Sequence, residues 1–163
     1  MKKLSLVSLV LVLTLAMAGM SFGATSTTQM VVSVTVPQVC EVSAYSLYFG
    51  EYTGSFVNAN SSIGVLCPLD VPYEIALDAG QNFGQGGRNM SDGLGNMLYY
   101  ELYDSSYNWW GDAGHGDTFA RGNTVVGTGT GAAQYYGVTG YLYAQGVRPY
   151  GYYQDVVNVT VYY

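Results

Sequence analysis

Apolar residues recur at every second position in this chain, and beyond residue 37 no long stretch places them at i, i+3, i+4 and i+7. A period of two puts alternate side chains on one face of an extended strand, whereas a helix needs a period near 3.6. The chain is therefore expected to be all-β. Its clearest instance is Met30-Val31-Val32-Ser33-Val34-Thr35-Val36, in which Met30, Val32, Val34 and Val36 share one face while Val31, Ser33 and Thr35 share the other. Pro37 ends the run, because proline has no N–H to give to a ladder. The end of the sequence repeats the pattern: Val157, Val159, Val161 and Tyr163 alternate with Val156, Asn158, Thr160 and Tyr162. A strand that stops there is expected to have no following strand over its free edge, and uncovered apolar edges recruit other strands.

Between these two runs lie further candidate strands at Val39–Val42, Ser46–Tyr52, Ser62–Cys67, Tyr73–Leu77, Met97–Tyr103 and Gln134–Tyr143, with the last at Asp155–Tyr163. Turn-rich segments separate them at Asn58–Ser61, Asp78–Gly87, Ser91–Gly95, Gly111–Asp117 and Gly127–Gly131, using many of the 22 glycines. About seven short strands in ~125 residues predict a two-sheet sandwich of the immunoglobulin kind.

Residues 1–23 read as a secretory signal, with Lys2 and Lys3 ahead of an apolar core from Leu4 to Ala18 and small Ser21 and Gly23 at the exit. Cleavage after Ala18 is the alternative. An apolar run of about 15–20 residues is borderline for a membrane span, and no basic stop follows it, so stable membrane insertion is not expected. Removing 23 of the 163 residues leaves 140, enough for one domain with one core. The division expected is a signal over 1–23, an N-terminal extension over 24–37 and a sandwich over 38–163.

Export removes both lysines, leaving Arg88, Arg121 and Arg148 against 11 acidic residues, a formal charge of −8. That balance excludes nucleic acid and anionic lipid as partners, since both need a basic footprint. Cys40 and Cys67 both survive, and two cysteines in an exported chain are expected to pair. The bond would close a loop of 27 residues, worth about 3.5 kcal/mol by loop entropy.

Several constellations could carry chemistry. Asp112, His115 and Asp117 lie in a glycine-rich loop that offers too few oxygen ligands for a calcium site, so solvated polar residues are the simpler reading. Tyr107, Trp109 and Trp110 could stack sugar rings; alternatively one tryptophan fills the core and the other lies at its rim. Gly127-Thr128-Gly129-Thr130-Gly131-Ala132 partly fits a dinucleotide fingerprint but lacks the βαβ setting it requires. His115 is the only histidine, and no serine or cysteine sits in an activated setting. No catalytic residue, metal ligand or cofactor is assigned. Asn60, Asn89 and Asn158 begin formal glycosylation sequons, expected to stay unused in bacterial-type export.

In order along the chain stand the N-terminal alternating strand and Cys40, Leu47-Tyr48-Phe49-Gly50-Glu51-Tyr52, Ile63-Gly64-Val65-Leu66-Cys67 and Pro72-Tyr73-Glu74-Ile75-Ala76-Leu77-Asp78-Ala79-Gly80. Arg88-Asn89-Met90, Leu98-Tyr99-Tyr100-Glu101-Leu102-Tyr103, Trp110-Gly111-Asp112 and Gly151-Tyr152-Tyr153-Gln154-Asp155 follow before the closing strand. In this order and spacing the chain resembles the spore coat protein U-like family, which includes pilin subunits of archaic chaperone–usher pili. The resemblance implies an incomplete immunoglobulin-like sandwich completed by a strand from a neighbouring subunit, a mode of β-augmentation. It also implies a periplasmic chaperone and an outer-membrane usher as assembly partners, and a cell-surface fibre of head-to-tail subunits serving adhesion or biofilm formation. Met30, Val32, Val34 and Val36 would be the donated face, and Val157, Val159, Val161 and Tyr163 the acceptor edge. A chain of this length is expected to be a shaft or minor subunit. Two other readings use the same residues: a small outer-membrane barrel and a secreted sugar-binding sandwich built on Trp109 and Trp110.

Overall fold

In the computed structural model the residues described are 23–84, 86–113, 115 and 122–163. The signal expected over residues 1–23 lies outside them except for Gly23, as do Asp117 and Arg121. The chain divides into two units, Met1–Thr35 and Val36–Tyr163. In the first, residues 23–35 carry no regular secondary structure, and Met30, Val31, Val32 and Val34 are exposed.

The second unit forms eight strands: β1 (Glu41–Ala44), β2 (Val57–Leu66), β3 (Pro72–Leu77), β4 (Arg88–Ser91), β5 (Met97–Tyr103), β6 (Val125–Thr128), β7 (Ala133–Leu142) and β8 (Val159–Tyr162). No helix occurs among the described residues. All strand pairs are antiparallel, in one sheet of order β1-β2-β7-β5-β4 and another of order β6-β3-β8. Both orders are open, with edge strands at each end, so these sheets form a sandwich and not the closed barrel considered as an alternative.

Alternation decides which residues enter the core. In β5, Leu98, Tyr100 and Leu102 are buried while Tyr99, Glu101 and Tyr103 face outward. In β3, Tyr73, Ile75 and Leu77 point inward, and in β7 Val138 and Leu142 do. Ile63 and Val65 of β2 and the indole of Trp110 complete the centre. Each fully buried large apolar side chain contributes roughly 1.5–3 kcal/mol. Trp110 is held there by a hydrogen bond from its Nε1 to the carbonyl of Ile75, 2.9 Å away.

The Cys40–Cys67 disulfide ties the chain just before β1 to the residue following β2. The strands differ from the sequence expectation in several places. Asn58–Ser61, read as a turn, belongs to β2, which pairs with β7 from Val57↔Leu142 to Leu66↔Ala133. Asn58 and Asn60 lie on its outward face, with Thr139 donating to the Asn60 side chain across the ladder, while Ser61 shares the side of Ile63. The glycine-rich segment from 127 is partly β6, because Val125–Thr128 pairs along the edge of β3. β4 carries one apolar residue, Met90, too few to show a period. Ser46–Tyr52, read as a strand, pairs with nothing in a ladder, and the closing strand narrows from 155–163 to β8.

Candidate functional site

The inward faces of the two sheets do not close over their whole length. A groove of about 870 Å³ opens onto the core, with Ile63, Leu77, Leu98, Leu102, Val138 and Leu142 along its floor. These are core side chains from β2, β3, β5 and β7. One wall is the stretch from Ala44 to Thr53; the other runs from Arg148 to Val157 and continues to Val159 of β8.

Leu47, Phe49 and Tyr52 of the first wall are half-buried against the core. The Phe49 ring meets Tyr100 edge-on at 6.2 Å. Further along, the Tyr52 hydroxyl donates to the carbonyl of Tyr143 at 3.0 Å and accepts from the Gln145 N–H at 2.7 Å. The Ser61 hydroxyl donates to the carbonyl of Tyr45 at 2.8 Å. Side chains thus anchor both ends of this stretch beside the groove, where no strand pairs with it.

Asp155 organises the second wall. Its Oδ1 accepts from the backbone N–H of Gln81 (2.9 Å) and Asn82 (3.2 Å) and from the Asn82 amide (3.0 Å). Its Oδ2 accepts from the Tyr100 hydroxyl at 2.7 Å. Burial, and then the hydrogen bond to Asp155, push the Tyr100 phenol well above the usual tyrosine range. Next to it the backbone of Gln154 exchanges two hydrogen bonds with Ser91.

Under this wall lies Arg88, 2% exposed. Its Nε donates to the carbonyl of Asp78 at 2.8 Å and its Nη2 to that of Leu77 at 2.9 Å. Burial lowers its pKa, opposed by Tyr100 and by Asp78, Asp112 and Asp155. The Asp78 carboxylate then accepts from the backbone and amide of Asn158, at 2.9 and 2.6 Å. Arg88, Asp78 and Asn158 therefore fix the approach to β8.

β8 is the edge of its sheet, paired with β3 from Leu77↔Val159 to Glu74↔Tyr162, and its other edge has no strand partner among the described residues. Of the residues expected to form the acceptor edge, Val157 and Val159 line the groove, Val161 packs half-buried against the core and Tyr163 is exposed. Met30, Val32, Val34 and Val36 are 79–88% exposed, as is Val31 at 89%. Leu47–Tyr52, Tyr100 and Asp155 stood among the motifs that carry the resemblance, but nothing in the sequence assigned them a role at a groove. Nothing local shows what Asp155 holds, since its partners are 55–74 residues away.

The other candidates separate. Asp112 is buried, whereas His115 is exposed, stacks on Tyr162 at 4.0 Å and places Nε2 2.7 Å from a Glu74 carboxylate oxygen. That contact and a hydrogen bond from Thr124 hold the Glu74 carboxyl below the usual range. Trp110 is in the core and Trp109 is 41% exposed. Gly127–Ala132 opens no helix. The Asn89 amide is buried, donating to the carbonyls of Asn82, Gly84 and Gly87. No helix among the described residues is long and apolar enough to cross a membrane.

The family model of the Spore Coat Protein U domain matches residues 26–160, and the chain belongs to that family. Among solved structures it is similar to one described as the CsuC–CsuE chaperone–tip adhesion subunit pre-assembly complex from archaic chaperone–usher Csu pili of Acinetobacter baumannii. The two are 28% identical with a TM-score of 0.57, over 79% of this chain and 40% of that one. The chain thus spans well under half the length of that relative. No curated protein matches it significantly.

Proposed function

We propose, taking membership of the Spore Coat Protein U family as the premise, that this protein is a structural subunit of an extracellular chaperone–usher fibre. It polymerises head-to-tail: Met30–Val36 of one copy adds a strand to the groove of the next. A periplasmic chaperone fills that groove first, and an outer-membrane usher is the site of exchange. The finished fibre serves adhesion or biofilm formation. The protein is not read as an enzyme: the groove is floored by packing side chains, as suits a bound strand.

The observation that carries this reading is the groove itself. Core residues of both sheets line it, and one long wall leads into the edge strand β8. An open core costs stability until something apolar and extended fills it, and the chain supplies such a segment in the exposed residues of Met30–Val36. At ~3.3 Å per residue the seven residues reach about 23 Å. Burying Met30, Val32, Val34 and Val36 is worth roughly 6–12 kcal/mol before costs. A contact between two different surfaces of the same chain is heterologous and propagates into a filament.

Complementation tests it. A chain lacking residues 24–37 should be unstable alone and gain stability when a peptide of residues 27–36 is added. A truncated chain that stays folded and ignores the peptide overturns strand donation.

A further inference from the structure

β7 is the middle strand of the large sheet, and its inward face has a gap at Gly140. Val138 and Leu142 are floor residues of the groove, and Gly140 falls between them with the same parity. Across the ladder it faces Ala59 of β2 on one side and Leu102 of β5 on the other. Glycine weakens a strand interior, having more freedom to lose and no side chain to pack. A glycine in a central strand therefore marks a place where something else comes close.

Here it is the first wall of the groove. A Cβ at Gly140 would lie 2.8 Å from Cζ of Phe49 and 2.9 Å from both Cδ atoms of Leu47. The tips of both side chains therefore rest on bare backbone. Leu47 and Phe49 line the groove and are half-buried against the core. Their stretch is anchored at its ends, where the Ser61 hydroxyl donates to the Tyr45 carbonyl and the Tyr52 hydroxyl to the Tyr143 carbonyl. Between those anchors, the depth at which the two tips sit sets how far the wall stands over the floor.

The same seat reaches the other wall. The Phe49 ring meets Tyr100 edge-on at 6.2 Å, and the Tyr100 hydroxyl donates to Asp155 of the second wall at 2.7 Å. Lifting Phe49 off Gly140 would drive it into the groove or against the ring that braces the far side. The backbone of Gly140 is fixed by pairing with both neighbouring strands, whereas the atoms resting on it are the free ends of side chains. A methyl group added at 140 is therefore relieved by displacing Leu47 and Phe49 into groove space, not by parting the sheet.

With strand donation as the premise, we propose that Gly140 is a positioning residue for strand uptake. It seats Leu47 and Phe49 flat on the sheet and so keeps the groove wide enough for the Met30–Val36 segment of the next copy. Gly140 acts through the two wall side chains and not by contact with the incoming strand. The segment that fits is one whose alternate apolar side chains pack over Leu47 and Phe49 in their seated position, and any residue larger than glycine at 140 narrows that space.

The test is fibre growth of the purified full chain after dilution from denaturant, followed by light scattering and electron microscopy. Folded concentrations are matched by near-ultraviolet circular dichroism. Gly140→Ala should slow growth about tenfold, the scale of overpacking by one methyl group. Gly137→Ala is the control: it lies on the same strand with outward parity, a Cβ there would meet the Ser105 hydroxyl at 3.0 Å, and growth should keep the wild-type rate. Once Leu47→Ala has removed one tip, adding Gly140→Ala should change growth by less than about twofold, and Phe49→Leu gives the same comparison from the other tip. A wild-type rate for Gly140→Ala, equal slowing by Gly137→Ala, or an undiminished effect of Gly140→Ala in both trimmed backgrounds each overturns the positioning role. A wild-type chain that grows no fibre overturns strand donation itself, and the role of Gly140 with it.

Discussion

The hydroxyl of Tyr100 donates to the carboxylate of Asp155 at 2.7 Å, joining the floor of the groove to its second wall. Because the same carboxylate holds the backbone at Gln81 and Asn82, one side chain sets the distance between β5, the turn after β3 and the approach to β8. The groove is thus held open by a polar brace at its side while its floor remains apolar.

Removing the brace should be costly. Asp155→Ala leaves four donors from three residues without their acceptor and is expected to lose about 2–3 kcal/mol, read as a lower urea midpoint. Gly80→Ala should cost a comparable amount from the other side: Gly80 has φ 73°, and a Cβ there would sit 2.1 Å from Asp155 Oδ2. Wild-type midpoints for both variants would refute the brace.

Alkaline pH should weaken the fold. In the folded chain burial and Asp155 raise the Tyr100 pKa, while in the unfolded chain it titrates near its usual value of about 10. Above that pH the unfolded state binds fewer protons than the folded one, so stability falls as pH rises. This contribution is fully present below about pH 10. Urea midpoints from pH 8 to 11 should decline, and less steeply for Tyr100→Phe; equal slopes would contradict the assignment.

Parity within the donated segment is testable by paired substitutions. Val34→Asp puts a charge on the face proposed to enter the groove, where burying it costs several kcal/mol, whereas Ser33→Asp places it on the other face. Electron micrographs should show filaments for Ser33→Asp and none for Val34→Asp. Filaments from both would reassign the face.

The disulfide should act mainly on the unfolded chain. Replacing Cys40 and Cys67 together by serine opens the 27-residue loop and should lower stability by about 2–4 kcal/mol. Thermal melts under non-reducing conditions would measure it, and an unchanged midpoint would mean that this loop is already ordered when the chain is unfolded.

Composition misled wherever polar or glycine-rich residues served a strand. Asn58–Ser61 has the residues of a turn, but pairing with β7 made it part of β2, with Asn58 and Asn60 exposed and Ser61 on the side of Ile63. Val125–Thr128 became a strand because β3 had an edge to offer. Leu47 and Phe49 have the alternation of a strand, yet no strand pairs with them and they form a groove wall packed against the core.

What the sequence alone determined is class and parity. A period of two fixes which side chains share a face, so Leu98 and Leu102 inward and Tyr99 and Tyr103 outward follow from order along the chain. Two cysteines were also enough to expect one bond. The groove was decided only by tertiary structure. It is assembled from segments distant in sequence: Asp155 meets Gln81 and Tyr100. Local periodicity carries no information about which strand edge stays unpaired or which core residues stay uncovered, because both depend on how the two sheets lie against each other.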